Sequence, residues 1–124
     1  MYPIHKNETG LFQELARPKD VKFGQISLLI INSGSSRGGH YHARKEEWFC
    51  CIHGRCRLDL LNVHSKAAKE IILDELKREF IKVEPFWIHT LTNLSNAGPC
   101  DLIIVVSEEF DESDPDTFRS EQKR

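Results

Sequence analysis

The chain has 124 residues and a formal net charge of -2, which fits a single domain and lacks the strong basic charge of a nucleic-acid-binding protein. No apolar stretch reaches the roughly 18 residues of a membrane-spanning helix, and the amino terminus lacks the apolar core of a secretion signal. The four cysteines, Cys50, Cys51, Cys56 and Cys100, form no CxxC pair, which predicts reduced and buried thiols. We therefore expect a soluble cytoplasmic protein that binds neither nucleic acid nor membrane.

Short apolar and β-branched runs alternate with turn residues along the chain, a pattern typical of an all-β domain. The predicted strands, in chain order, are GLFQEL, FGQISLLIIN, EEWFCCIH, RCRLDLLNV, EFIKVEP, IHTLTN and DLIIVV. The segment KAAKEIILDELKREF has apolar residues at helical spacing, but between strands it can equally supply the strand KEIILDEL, so both alternatives stand.

The carboxy-terminal segment is polar and acidic before it turns basic. We predict a single domain over residues 1–110 and a polar tail over residues 111–124, with the chain leaving the core after Val106. The acidic run from Glu108 to Asp116 is typical of a solvated tail.

The segment RGGHYHARKEE, residues 37–47, concentrates side chains that can bind a metal. On a strand, His40 and His42 project from the same face. Glu47 follows five positions later, and a hairpin turn through ARKE would bring its carboxylate opposite the two imidazoles. His89, in PFWIHTLTN, supplies a third imidazole from a later strand. Three imidazoles and one carboxylate suit Zn, Mn, Fe, Ni or Cu, and the ligand set does not choose among them.

These residues carry a motif that resembles the first motif of the cupin superfamily, which reads G, five residues, HxH, three or four residues, E, six residues, G. The matching residues are Gly34, His40, His42, Glu47 and Gly54. Glu46 competes with Glu47 as the carboxylate ligand, but the six-residue gap to Gly54 favours Glu47. The resemblance implies an all-β cupin fold, a small antiparallel barrel or jelly roll.

A second cupin motif, PxGxxHxxxN, is matched by His89 and Asn93. The chain departs from it at the glycine, where Phe86 stands, and at the proline, which is displaced by one position to Pro85. Two motifs in the right order are a more specific signal than a lone HxH. The pair implies one divalent transition metal held by four ligands.

A closer resemblance covers nearly the whole chain. The segments ETGLFQEL, FGQISLLIINSGSSRGGHYHARKEEWFCCIHG, FIKVEPFWIHTLTNLSN and SEEFDESDPDTF are similar to the carboxy-terminal cupin domain of CapF-type capsular-polysaccharide enzymes. The resemblance implies a zinc-bound cupin that epimerises C3 of a nucleotide-linked 4-keto-6-deoxyhexose, with His40, His42, Glu47 and His89 as ligands. Enzymes of the CapF type carry a reductase domain ahead of the cupin, so a separate reductase is a candidate partner.

The chain also resembles the sugar-nucleotide 3,4-ketoisomerases of O-antigen and S-layer glycan pathways, through CCIHGRCRLDL and SEEFDESD. Those enzymes usually read HAHK where this chain reads HYHA, and they lack the acidic ligand and the later histidine. Glu47 and His89 therefore favour the metal-bearing family.

Epimerisation and ketoisomerisation both begin with removal of a proton alpha to a ketone, and a divalent metal can hold the resulting oxyanion. The sequence does not identify the general base. Arg37, Lys45 and Arg57 are candidate contacts for a diphosphate, with Arg37 favoured because it directly precedes the ligand strand, and solvated surface charge is the alternative for each.

Two other functional classes stay open, a cupin dioxygenase and a non-catalytic cupin that binds metal and sugar. The oligomeric state can also be predicted. Because the strand GLFQEL can add to a neighbour's sheet, we expect a homodimer.

Overall fold

The computed structural model describes residues 1–119, which form eleven strands in antiparallel pairs and no helix. The strands are β1 (Ile4–Asn7), β2 (Gly10–Gln13), β3 (Gln25–Ile31), β4 (Ser36–Tyr41), β5 (Glu47–His53), β6 (Arg55–Asn62), β7 (Ala68–Asp74), β8 (Ile81–Val83), β9 (Trp87–Asn93), β10 (Cys100–Val106) and β11 (Phe118–Arg119). Across this part of the chain, no segment makes a helix long and apolar enough to span a bilayer. Residues 120–124 of the predicted tail lie outside the described residues.

Two sheets enclose one hydrophobic core. The first has the strand order β3-β10-β5-β8, the second has the order β11-β4-β9-β6-β7, and β1 and β2 form a separate hairpin. The buried cluster takes Ile31 and Phe49 from the first sheet and Leu58 and Leu91 from the second. Because side chains alternate along a strand, each sheet gives one face to this interior.

The all-β prediction is confirmed, and the ambiguous segment is a strand. Its residues 68–74 form β7, which pairs with β6 from Leu61 opposite Ala68 to Arg55 opposite Asp74. Helix propensity is a weak preference, and pairing with a neighbouring strand overrides it here. The predicted strand GLFQEL is shorter than expected, since β2 ends at Gln13. The strands β1 and β11 were not predicted.

The predicted hairpin through ARKE is wrong. The strand β4 pairs with β9 and β11, whereas β5 pairs with β10 and β8, so the connection crosses from one sheet to the other. Glu47 still reaches the histidines, because the inward faces of the two sheets meet across the interior.

The chain does not leave the core after Val106. It folds back so that Phe118 pairs with Tyr41 and Arg119 pairs with His40. Asp116 is only 5% exposed, so the prediction of a solvated tail is wrong for this residue. The segment closes over the end of β4, where the histidines lie.

A candidate metal centre

Three histidines converge on the inner face of the second sheet. His40 lies in β4 directly opposite His89 in β9, and His42 follows the end of β4. One ligand nitrogen from each ring lies within 4.8 Å of the other two. The rings of His40 and His89 are 4.7 Å apart between centroids. The backbone pairing of β4 with β9 therefore produces the cluster.

Glu47 brings a carboxylate to the same point from the first sheet. Its Oε1 atom is 2.5 Å from Nε2 of His42 and 3.5 Å from Nε2 of His89. This oxygen is buried and has no hydrogen-bond partner of acceptable geometry. A buried carboxylate oxygen without a partner is costly, and a cation bound among these atoms would remove that cost. Three imidazoles and one carboxylate are a donor set that fits a divalent transition metal.

Glu46, the competing carboxylate, points elsewhere. Its Oε2 atom is 2.8 Å from Nζ of Lys82, which lies in β8 on the far side of β5. Glu46 directly precedes β5, and because neighbouring residues of extended chain point to opposite faces, only Glu47 faces the imidazoles.

Three of the four candidate ligands already have the protonation state that binds a metal, and His42 would give up its proton to the incoming ion. Burial lowers the pKa of His40 and lowers that of His89 to about 4, so both rings are neutral at pH 7. Burial opposes the charged form of His42 too, but the adjoining Glu47 carboxylate outweighs it and the pKa of His42 is raised. Burial raises the pKa of Glu47, and the nearby histidines lower it by more, so Glu47 is an anion. Metal ligation requires neutral imidazoles and an ionised carboxylate.

The carboxy-terminal segment holds His42 in place. Nδ1 of His42 donates a hydrogen bond to the backbone carbonyl of Asp116 at 2.6 Å, which fixes the ring so that Nε2 is directed at Glu47. The Asp116 carboxylate accepts hydrogen bonds from the backbone N–H groups of residues 43–45 at 2.8 to 3.0 Å. Burial raises the pKa of Asp116, but these three hydrogen bonds lower it by more. The sequence analysis did not identify Asp116 as a functional residue. The one feature that could have indicated it is its position in the segment SEEFDESDPDTF, which is similar to the related enzymes.

Gly38 allows the backbones of β4 and β9 to approach at the histidines. It has φ of 115°, and a Cβ atom there would collide with the backbone carbonyl of His89. The register of the two strands shifts between Gly38 and His40. A bulge of this kind redirects the side chains that follow it.

Phe86 takes over the conformation of the glycine that the second motif expects. Its φ is 68°, in the left-handed region that favours glycine. Its backbone N–H donates to the carbonyl of His42 at 2.7 Å, and its ring lies 4.8 Å from that of His64. The turn before His89 is therefore kept although the motif glycine is absent.

A cavity of about 200 Å³ adjoins the cluster. Its lining residues are Leu29, Arg37, Gly38, His40, Glu47, Phe49, His89, Leu91 and Ile104. Most of the wall is thus apolar, and the polar groups are the candidate ligands and the guanidinium of Arg37. A mostly apolar pocket with a few convergent polar groups is the usual form of a small-molecule site.

Two of the predicted diphosphate contacts do not line this cavity. Lys45 is buried beneath the carboxy-terminal segment, and its Nζ atom donates to the backbone carbonyl of Pro115 at 3.0 Å. Arg57 occupies an outward position of β6, where it pairs with Asp59 at 2.9 Å. Of the three, the structure brings only Arg37 to the histidines.

Comparison with known proteins identifies the family. A family model described as a polysaccharide biosynthesis C-terminal domain matches residues 5–118, so the chain belongs to that family. The UDP-2-acetamido-2,6-beta-L-arabino-hexul-4-ose reductase of Pseudomonas aeruginosa is 35% identical over 118 residues, which are 94% of this chain and 30% of the relative. The crystal structure of the capsular polysaccharide assembling protein CapF from Staphylococcus aureus matches at 25% identity and a TM-score of 0.75, over 96% of this chain and 34% of that chain. The chain spans about a third of the length of each.

A more distant structure confirms the cupin fold. The sugar 3,4-ketoisomerase QdtA from Thermoanaerobacterium thermosaccharolyticum, solved with TDP, is similar at a TM-score of 0.79 and 18% identity, over 98% of this chain and 86% of that chain. At this identity the similarity extends to the fold alone. The resemblance to CapF-type enzymes that the sequence predicts is also confirmed.

Proposed function

We propose that this member of the polysaccharide biosynthesis C-terminal domain family is a metal-dependent epimerase or isomerase of nucleotide sugars. Its substrate would be a nucleotide-linked 4-keto-6-deoxyhexose, in capsular or O-antigen polysaccharide biosynthesis. The observation that carries the proposal is the convergence of three imidazoles and one buried carboxylate beside a cavity that Arg37 also lines. The name of the Pseudomonas aeruginosa relative makes a UDP-linked 2-acetamido hexul-4-ose the first substrate to test.

The metal would be held by His40, His42, His89 and Glu47. Zinc is the first choice for this donor set, with Mn, Fe, Ni and Cu as the alternatives to test beside it. A divalent ion bound there would act as a Lewis acid that polarises the ketone oxygen of the substrate.

The protein itself would position the sugar and exclude water. The cavity of about 200 Å³ is smaller than the roughly 300 to 1,000 Å³ of pockets for drug-sized ligands, so it suits one sugar ring. Arg37 is exposed at the wall of this cavity and can pair with a diphosphate that extends toward solvent. The apolar side chains of Leu29, Phe49 and Ile104 would keep water from the ring.

The fate of the abstracted proton would decide the product. Loss of the C3 proton leaves its bonding electron pair in an enolate with the C4 ketone. Return of a proton to the opposite face of C3 gives the epimer. Return of a proton to C4, with the proton of the C3 hydroxyl passing to the C4 oxygen, gives the 3-keto isomer.

We propose a homodimer, supported by an apolar surface on the first sheet. Ile26, Leu28 and Ile30 are each more than half exposed on the outer face of β3, which is an edge strand. An exposed apolar edge strand is a ready site for pairing with a second copy of the chain. Sedimentation should give a dimer mass at micromolar concentration, and Leu28→Glu should shift it toward the monomer. A matched change at the exposed Leu76, Leu76→Glu, should leave the dimer intact.

Two further parts of the proposal concern the surroundings of the protein. The four cysteines are buried and free, which suits a reducing compartment, and we propose the cytoplasm. A reductase is the proposed partner, because the Pseudomonas aeruginosa relative is named as a reductase and this chain matches 30% of its length.

Solvent exchange tests the proposed reaction. Metal-loaded protein is incubated with a UDP-linked 2-acetamido hexul-4-ose in heavy water, and deuterium at C3 is measured by NMR and mass spectrometry. Exchange at C3 is the expected result. Binding without exchange, across several nucleotide 4-keto sugars, would indicate a sugar-binding cupin instead. Absence of binding together with metal-dependent oxygen consumption would indicate a dioxygenase.

A further inference from the structure

Three cysteines from three strands meet at the other end of the barrel. Cys51 lies in β5, Cys56 in β6 and Cys100 in β10, and all three are at most 1% exposed. Their sulfur atoms lie within 4.8 Å of one another, with Cys51 and Cys100 at 3.6 Å. The cluster is independent of the histidine site and of the function proposed for it.

The spacing of these sulfur atoms matches three ligands around one ion. Sulfur atoms bound at about 2.3 Å to a three-coordinate centre lie about 3.4 to 4 Å from one another, the lower value applying to a pyramidal centre. The three thiols therefore need little movement to share one ion. A single buried cysteine usually acts as a small apolar side chain, and Cys50, on the opposite face of β5, is an example. Three cysteines in mutual contact at the end of a barrel are a different arrangement.

The chemistry of the cluster selects a soft ion. Thiolates prefer soft ions over magnesium or calcium. Three thiolates with a monovalent or divalent ion would leave net negative charge among Cys56, Cys100 and the surrounding core, which burial opposes. A trivalent centre leaves no net charge. We propose that Cys51, Cys56 and Cys100 form a trigonal, all-sulfur site for a thiophilic trivalent centre, of which arsenic(III) is the type.

The binding reaction balances without an oxidant or a reductant. Arsenous acid, As(OH)₃, reacts with three thiols to give As(SR)₃ and three water molecules. Three S–H bonds and three As–OH bonds break, and three As–S bonds and three O–H bonds form. Each thiol proton leaves on a departing hydroxide as water, so the net reaction adds no charge to the core.

A route to the cluster is present. A cavity of about 80 Å³ reaches Cys51, and its lining includes Asp74, Glu79 and the exposed Lys77. A molecule of water occupies roughly 30 Å³ in the liquid. The cavity therefore has about the size of arsenous acid, which carries three hydroxyl groups. The side chain of Cys51 is therefore the first contact from the surface.

The test uses arsenite with the full chain, reduced and with zinc present. We expect native mass spectrometry to show one arsenic per chain with loss of three hydrogens, which counts three thiols consumed. Cys56→Ser should reduce arsenic retention at least tenfold, while the matched variant Cys50→Ser should retain it fully. Arsenic does not displace zinc from imidazoles, so the histidine site does not contribute to the signal.

Three results would overturn the proposal. They are no uptake by the wild-type protein, uptake with fewer than three thiols consumed, and equal loss in Cys50→Ser and Cys56→Ser. The first two need no variant, so they decide the question even if a substituted chain fails to fold. Because catalysis is not measured, failure here is distinct from failure of the proposed epimerase.

Discussion

The two ends of the barrel carry different chemistry on the same strands. On β5, Glu47 lies at one end and Cys51 lies four residues further on, about 13 Å away at the usual rise of a strand. On β9, His89 is likewise followed four residues later by Asn93, which pairs with Cys56. The histidine end adjoins a cavity of about 200 Å³, whereas the cysteine end has about 80 Å³. The same inward faces therefore present imidazole and carboxylate ligands at one end and thiols at the other.

The cysteine end is closed by direct links between the sheets. The side-chain amide of Asn93 donates to the backbone carbonyls of Ile31 and Gly98, at 2.9 Å each, and so ties β9 to β3. At the histidine end the two sheets meet through the Glu47 carboxylate and the ring of His42, and the carboxy-terminal segment holds this end through Asp116. The closed end suits structural packing, and the end that adjoins the larger cavity suits a substrate.

The largest expected effect is the loss of zinc binding at the histidine end when Glu47 is changed. We expect Glu47→Gln to lower zinc affinity by more than about 100-fold, because an amide carries no charge to offset that of the ion. Isothermal titration calorimetry measures the affinity. The matched change Glu46→Gln should stay within about twofold, because Glu46 pairs with Lys82 outside the site. Equal losses in the two variants would remove Glu47 from the site.

Asp116 gives the next largest effect. We expect Asp116→Asn to lose about 2 kcal/mol of unfolding free energy, because three backbone N–H groups lose a charged acceptor. Zinc affinity should fall about 10-fold, since His42 loses its support. Urea denaturation and calorimetry measure the two quantities. Asp114→Asn, at a side chain that is 62% exposed, is the control and should leave both nearly unchanged.

Acid provides a second check on Asp116. Its pKa in the folded state is lowered from the ordinary value of 3.8, so its contribution is complete above that value and is lost as the pH falls through the lowered pKa. The difference in stability between wild type and Asp116→Asn should therefore shrink below about pH 4. A difference that is unchanged at pH 3 would contradict a role for the charge.

Arg37 tests whether the nucleotide binds at the histidine end. We expect Arg37→Ala to weaken the binding of UDP about 10-fold, because a charge-assisted contact to the diphosphate is lost. Arg57→Ala should leave binding unchanged, since Arg57 faces outward and pairs with Asp59. Fluorescence or calorimetric titration with UDP compares the two variants. A larger loss in Arg57→Ala would move the nucleotide to the outer face of β6.

The smallest effect is the pH dependence of zinc binding near neutrality. The pKa of His42 is raised, so its proton competes with the metal near pH 7, whereas the pKa values of His40 and His89 are lowered and these rings are already neutral. Zinc affinity should fall by less than about tenfold from pH 7.5 to 6.5, as one proton allows. A flat profile would show that His42 is not a ligand, and a steeper fall would mean that more than one proton is bound.

Motif spacing predicted which residues meet at the histidine end. Strand alternation places His40 and His42 on one face, and the structure brings Glu47 and His89 to them. The motif spacing did not predict how the chain connects β4 to β5. A hairpin and a crossing between sheets both place Glu47 near the histidines, and only the pairing of β4 and β5 with other strands distinguishes them.

Long-range contacts account for most of what the sequence did not predict. Asp116 acts on residues 43–45, more than 70 positions away, and an acidic run gives no sign of such a contact. The strand β7 depends on pairing with β6, which local propensity does not include. The outward position of Arg57 does not depend on a long-range contact. It follows from the alternation of side chains along β6, where Arg57 lies between the buried Cys56 and Leu58.

The metal dependence of C3 exchange tests the central claim most directly. Protein is stripped with a chelator, zinc is returned in measured portions, and the rate of deuterium incorporation at C3 of a UDP-linked 2-acetamido hexul-4-ose is recorded at each step. The account predicts almost no exchange without metal, a linear rise and a plateau at one zinc per chain. An undiminished rate in the stripped protein would contradict the proposal that the histidine end is a catalytic metal site.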